Sequence, residues 1–235
     1  MKQFFTAIGV SVGLVFALGV PTLGQAGSQA DIKDEIEQSA KAARVFDEIM
    51  GAPDKAIPKR VLDDADCVAV FPSVIKAAFG IGGRGGRGVV SCRTANGWSA
   101  PAFLNLGGGS FGAQIGVEST DYVMLFMTPE SARSLLQSNV KVGGNLSVAA
   151  GPVGREAGAA TDVKLNAQLL TYSRSKGLFA GAALEGAVIE TANEDMRDAY
   201  GAGVASRQVL FDGSTKAPEP VKAFARTLEK YSPGK

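Results

Sequence analysis

A chain of 235 residues supports one sizeable core or at most two small ones, and a net charge of +1 denies it the broad positive field of a nucleic-acid binder. Histidine is absent, which removes the usual general base near neutral pH, the Ser-His and Cys-His nucleophile pairs and the commonest metal ligand. Thirty glycines without a short strict repeat argue against collagen and for tight turns, bulged strands and close backbone packing. The composition therefore argues against catalysis, and neither an enzymatic function nor a cofactor is expected.

Residues 1–26 read as a secretory signal peptide. Lys2 supplies the positive start, Ala7 to Val20 the apolar run, and Gly24-Gln25-Ala26 the small residues of a cleavage site. The run falls short of the roughly 20 apolar residues needed to span a bilayer. The expected mature domain is 27–235, exported to the periplasm or secreted. Export would place Cys67 and Cys92 in an oxidising compartment. They are either a disulfide between neighbouring strands or two buried thiols.

Residues 31–50 read as a helix. Ile32, Ile36, Ala40, Ala43, Phe46 and Met50 share a face, and Asp31, Asp34 and Glu35 suit the first turn. The polar face mixes Lys33, Lys41 and Arg44 with acids, so the helix is expected to pack on the sheet rather than lie on a membrane. A second short helix is predicted at 57–64. From Cys67 to Met127 the pattern changes to strands at 68–71, 74–81, 88–93, 98–106, 110–117 and 121–127, broken by Gly, Pro or Asn. Short connections between them favour antiparallel pairing. A helix follows at 129–136, with Thr128 as its cap and Pro129 at its first position. Strands resume at 145–150, 164–173 and within 178–189, and helices at 194–200 and 220–231 close the chain. One α+β domain is expected, with a large antiparallel, barrel-like sheet and flanking helices.

Gly80-Ile-Gly-Gly-Arg-Gly-Gly-Arg-Gly88 is either a tight turn with two solvated arginines or a concave anion site gripped by Arg84 and Arg87. It lacks the Lys-Ser/Thr ending of a nucleotide-binding P-loop. Lys76, Arg155 and Arg174 are further cations that would join the site if the fold brings them together. Trp98 is either a membrane-interface anchor or a half-buried strand residue. Asp63, Asp64 and Asp66 lack a complete calcium-loop pattern around them.

Cys67-Val-Ala-Val-Phe-Pro-Ser-Val-Ile-Lys76 followed by the glycine–arginine segment resembles the SYLF-domain family. The likeness continues through Gly97-Trp-Ser-Ala-Pro-Ala-Phe103, Gly107-Gly-Gly-Ser-Phe-Gly112, Gln114-Ile-Gly116 and Thr120-Asp121. It extends to Ala149-Ala-Gly-Pro-Val-Gly-Arg155, Tyr172-Ser-Arg174, Gly177-Leu-Phe-Ala-Gly181 and Leu184-Glu-Gly186. The resemblance implies a lipid-binding module. Eukaryotic members bind phosphoinositides, and some bind or bundle actin, while bacterial members of this kind are exported. The expected ligand is an anionic phospholipid or membrane surface, with Lys76, Arg84 and Arg87 as principal headgroup contacts and Arg155 and Arg174 as further ones. A structural or protein-interaction module of the envelope is the alternative, and a protein partner is compatible with both.

Overall fold

The computed structural model describes residues 32–52, 56–154, 167–175, 178–182 and 184–234, with the backbone alone at 80, 110–115 and 179. The signal-peptide segment, Arg155 and the first residues of the 164–173 strand lie outside these ranges. The fold is α+β, with an eight-stranded curled sheet forming a half-barrel and helices on its flanks.

Two long strands dominate it. β1 (Cys67–Thr94) and β3 (Ala102–Phe126) pair antiparallel from Cys67↔Phe126 to Val90↔Ala102, and the short β2 (Gly97–Trp98) turns the chain between them. The strand breaks expected at Pro72 and along Gly80–Gly88 do not occur. Pro72 falls where the register shifts between Phe71 and Val74, and a bulge is a place where a missing N–H is tolerated. There Ser73 adopts φ 53°, and its N–H donates to Asp121 Oδ1 at 2.8 Å.

Along the glycine run, Gly83 pairs with Gly109 and Gly85 with Gly107. The ribbon so formed folds over. Cβ atoms built on Gly82, Gly86 and Gly88 would lie within 3 Å of Ala77–Ala78, Val74 and Phe71 respectively, so the two halves of β1 lie face to face. Cys67 and Cys92, at the two ends of the folded strand, are joined by a disulfide with Cα atoms 4.0 Å apart. The pair left open by the sequence is bonded.

The sheet is mixed rather than wholly antiparallel. β6 (Leu169–Ser175) runs beside the C-terminal end of β3, and β7 (Leu178–Gly181) pairs antiparallel with it. β5 (Val148–Ala150) pairs with β6 in parallel, the one parallel strand pairing among the described residues. β8 (Val188–Thr191) borders the N-terminal end of β3 and holds β4 (Val140–Lys141).

α1 (Lys33–Met50) packs across β1 and against the C-terminal helix, here α6 (Ala223–Tyr231). Its buried line differs from the expected one. Glu35, Ser39, Ala42, Val45, Phe46 and Ile49 face inward, while Ile32, Ile36 and Met50 are only partly covered. The shift lets Ser39 Oγ donate to Val221 O at 2.6 Å and accept from Phe224 N–H at 3.1 Å, which stitches α1 to the final helix. Phe46 meets Phe224 and Tyr231 edge-on at 6.2 and 6.1 Å. α2 (Lys59–Asp64) starts after Pro58, which occupies its N-cap. α3 (Pro129–Ser134) begins as expected, with Thr128 Oγ1 accepting from Ser131 N–H and Pro129 in the first turn. α4 (Asn193–Tyr200) also matches its predicted place, whereas α5 (Ser206–Leu210) has no counterpart in the sequence reading.

Glu35 is the charged residue at the helix–sheet seam, 2 % exposed. Burial, then Asp195 and Asp198, push its carboxyl above the ordinary range, while a backbone hydrogen bond and Arg87 oppose them. A carboxyl whose folded pKa is raised binds more protons folded than unfolded, so its contribution to stability falls as pH rises from about 4.5 through the raised value. Glu35→Gln is therefore expected to stabilise the protein at pH 7 and to lose that advantage at pH 4. Urea unfolding at both pH values checks this, and an equal difference at both would contradict it.

Candidate membrane interface

Where β1 folds over, consecutive side chains point to opposite sides. Val74, Ala78, Gly82, Gly86 and Gly88 face inward, where the two halves of the ribbon meet. Ile75, Ala77, Phe79 and Ile81 face outward, and Val117, opposite Ala77 in the ladder, joins them. Phe79 is 78 % exposed, Val117 75 % and Ile81 74 %. Leu178, at the start of β7, is 68 % exposed. The β6–β7 hairpin holds it at this end of the molecule, where Ser175 Oγ donates to Glu118 at 2.9 Å. Large apolar side chains this exposed and this close together mark an interaction surface.

The predicted headgroup cations have diverse surroundings. Lys76 lies opposite Glu118 in the ladder, on the inward-facing side of the corner, and Arg84 is on the same side with its partner Gly108. Neither has an ion pair with a described residue. Arg84 Nε is buried with no hydrogen-bond partner among the described residues. Its guanidinium bears electrostatically on Tyr122, whose hydroxyl is pushed above its ordinary pKa chiefly by burial.

Arg87 and Arg174 are engaged. Arg87 Nη2 binds Asp195 Oδ2 at 2.7 Å, with Asp34 at 3.8 Å, and its side chain ties α4 to the ribbon. Arg174 Nη2 binds Asp121 Oδ2 at 2.8 Å and its Nη1 binds Glu48, so it clips α1 to β3 and β6. The glycine run is not a concave loop. A pleated strand sends successive N–H groups to opposite edges, so they do not converge on one anion.

Trp98 is partly buried. Its indole N–H donates to Ser232 O at 2.7 Å, and Arg93 stacks on its ring at 4.4 Å. It anchors the C-terminus rather than a membrane. No helix among the described residues is long and apolar enough to cross a bilayer, and no group of three or more Cys, Asp or Glu side chains there gathers in a metal-binding arrangement. Sequence reasoning missed the outward face. Its signal was the alternation Ile75, Ala77, Phe79, Ile81 beside small or charged neighbours, which is ordinarily assigned to a core.

These features define an α+β domain whose half-barrel sheet ends in an exposed apolar corner. Comparison with known proteins gives this architecture a family. The profile Ysc84, described as Las17-binding protein actin regulator, matches residues 107–231. Protein YSC84 of Saccharomyces cerevisiae is 38 % identical over 205 residues, which is 84 % of this chain and 43 % of that protein. LAS seventeen-binding protein 3 of the same yeast is 36 % identical over 205 residues, 84 % of this chain and 44 % of its own. Human SH3 domain-containing YSC84-like protein 1 is 35 % identical over 207 residues, 86 % of this chain and 60 % of its own. The chain belongs to the Ysc84 family, that of the SYLF domain. It spans about half the length of the relatives it matches, of which the second yeast protein is named for LAS seventeen binding and the human one for an SH3 domain.

Proposed function

We propose that this protein is a non-enzymatic lipid-binding module of the bacterial envelope, exported and docked on anionic phospholipid through the corner of its β1–β3 ribbon. The observation that carries this reading is the outward face formed by Phe79, Ile81 and Val117, with Leu178 at the same end. Burying one such side chain in acyl chains is worth about 1.5–3 kcal/mol. Lys76 and Arg84, half-buried on the other side of the same strand and without an ion pair to a described residue, add attraction to anionic headgroups of at most about 1 kcal/mol each.

Co-sedimentation of residues 27–235 with neutral and anionic liposomes tests it. Binding should need anionic lipid and weaken with salt. Phe79→Ser with Ile81→Ser should reduce apparent affinity by at least about 100-fold, from the area term alone. Lys76→Ala with Arg84→Ala should reduce it by up to roughly 30-fold on anionic vesicles and little on neutral ones. If both double variants bind as the parent does, the corner is not the interface.

The second reading is a structural or protein-interaction module. The relatives named for Las17 binding favour it. A protein that binds neither liposome but captures a partner through the same apolar corner would establish this alternative.

A further inference from the structure

We infer that a second site, at the opposite end of the fold, binds a dissolved oxyanion ligand, a phosphate or carboxylate held by Arg133 and Arg207. A cleft of about 770 Å³ lies between the end of α3, α4 and the 201–207 segment. A neighbouring cleft of about 340 Å³ is lined by Asp66, Arg93, Arg133 and Phe211. Leu136 and Arg207 border both, so the two form one continuous depression. Its size is that of small-molecule sites.

The charge balance selects the ligand. Arg93, Arg133, Arg197 and Arg207 line the depression, against one lining acid, Asp66. Arg93 is committed, with Nε donating to Ala65 O at 3.0 Å and its guanidinium also bonded to Leu62 O, Pro233 O and Ser232. Arg197 has only a loose contact with Asp198 at 3.9 Å. Arg133 and Arg207 are exposed and have no ion pair with a described residue. Each presents a fork of N–H donors suited to two oxygens of a phosphate or carboxylate. Leu136, Met196 and Val204 give the body of the ligand an apolar wall.

Position argues for a dissolved ligand rather than a bilayer headgroup. Asp66 and Arg93 adjoin the disulfide that joins the ends of folded β1. Phe79, at the apolar corner, is twelve residues beyond Cys67, up to roughly 40 Å away at the rise of a strand. A molecule docked by that corner holds the cleft away from the membrane. The oxyanion site itself does not depend on the lipid reading.

Isothermal titration of residues 27–235 with pyrophosphate and with citrate, at low ionic strength, tests the site. Saturable binding is expected for at least one probe, weakened tenfold or more in Arg133→Ala with Arg207→Ala. It should be unchanged in Phe79→Ser with Ile81→Ser, and thermal unfolding confirms that the variants are folded. The arginine double variant should still sediment with anionic liposomes. Absence of saturable binding below about 10 mM for both probes overturns the inference, as does binding indifferent to the two arginines. Loss of liposome binding in the arginine variant also overturns it, because the cleft would then be a headgroup site.

Discussion

Replacing Cys67 and Cys92 together by serine should cost the oxidised protein about 3.5 kcal/mol of stability, because the bond closes a loop whose ends are 25 residues apart. The loop contains nearly the whole of β1. In the reduced unfolded chain its two ends move independently, and folding must bring them together at the full entropic expense of closing that loop. Both cysteines are buried, Cys67 fully and Cys92 to 1 % exposure, so serine adds two hydroxyls that need partners in the core. The stability difference should be read from urea unfolding of the parent and of the Cys67→Ser, Cys92→Ser protein. Reduction of the parent should approach the same value, less the hydroxyl contribution. A double variant within about 1 kcal/mol of the oxidised parent would show that the fold-over of β1 is already present in the unfolded ensemble.

The helices were largely legible because their signals are local. The predicted 31–50 helix is observed as Lys33–Met50, and the Thr128-Pro129 start of α3 is where the cap chemistry placed it. What periodicity could not supply was the exact face of α1. Ser39 turns inward because its hydroxyl finds Val221 O and Phe224 N–H, partners 182 and 185 residues away. The same limit applies to the cations. Arg87 and Arg174 read as free turn charges because Asp195, Asp121 and Glu48 lie 108, 53 and 126 residues from them in sequence.

The ribbon was least legible, for a physical reason. Glycine and proline break a strand when they leave backbone groups unpaired or a face unfilled. In β1 the proline sits at a bulge, and every glycine of the run keeps a ladder partner, Gly80, Gly83 and Gly85 opposite Gly112, Gly109 and Gly107 and Gly82, Gly86 and Gly88 opposite Ser110, Leu106 and Leu104, so neither condition arises. The apolar alternation was visible at positions 75, 77, 79 and 81, and its ordinary reading puts that side in the core. Here the inward side needs glycine at the points where the two halves touch, Gly82 against Ala77–Ala78, Gly86 against Val74 and Gly88 against Phe71. The large side chains are left facing outward, and the candidate interface is a by-product of how tightly the ribbon bends.

That bend gives the second large expectation. Gly82→Ala should destabilise the protein by about 3 kcal/mol, the upper range for a methyl group forced into closed packing. A Cβ at Gly82 would lie 2.2 Å from Ala77 O and 2.6 Å from Ala78 Cα, both backbone atoms that no rotamer change can move. The strand would have to open at its corner to admit the methyl. Gly109→Ala is the matched control, because nothing lies within 4 Å of a Cβ there and the residue belongs to the same ribbon. It should be neutral or stabilising by about 0.4–1 kcal/mol through the unfolded chain. The two variants differ from the parent by the same single methyl, so intrinsic strand preference cannot separate them and only the closeness of the fold-over can. Opening the corner would also spread Phe79 and Ile81 from Val117, so Gly82→Ala should weaken liposome binding even under conditions where it remains folded. Equal urea midpoints for the two alanine variants would mean that the halves of β1 do not press together at this glycine, and the outward face would then need another cause.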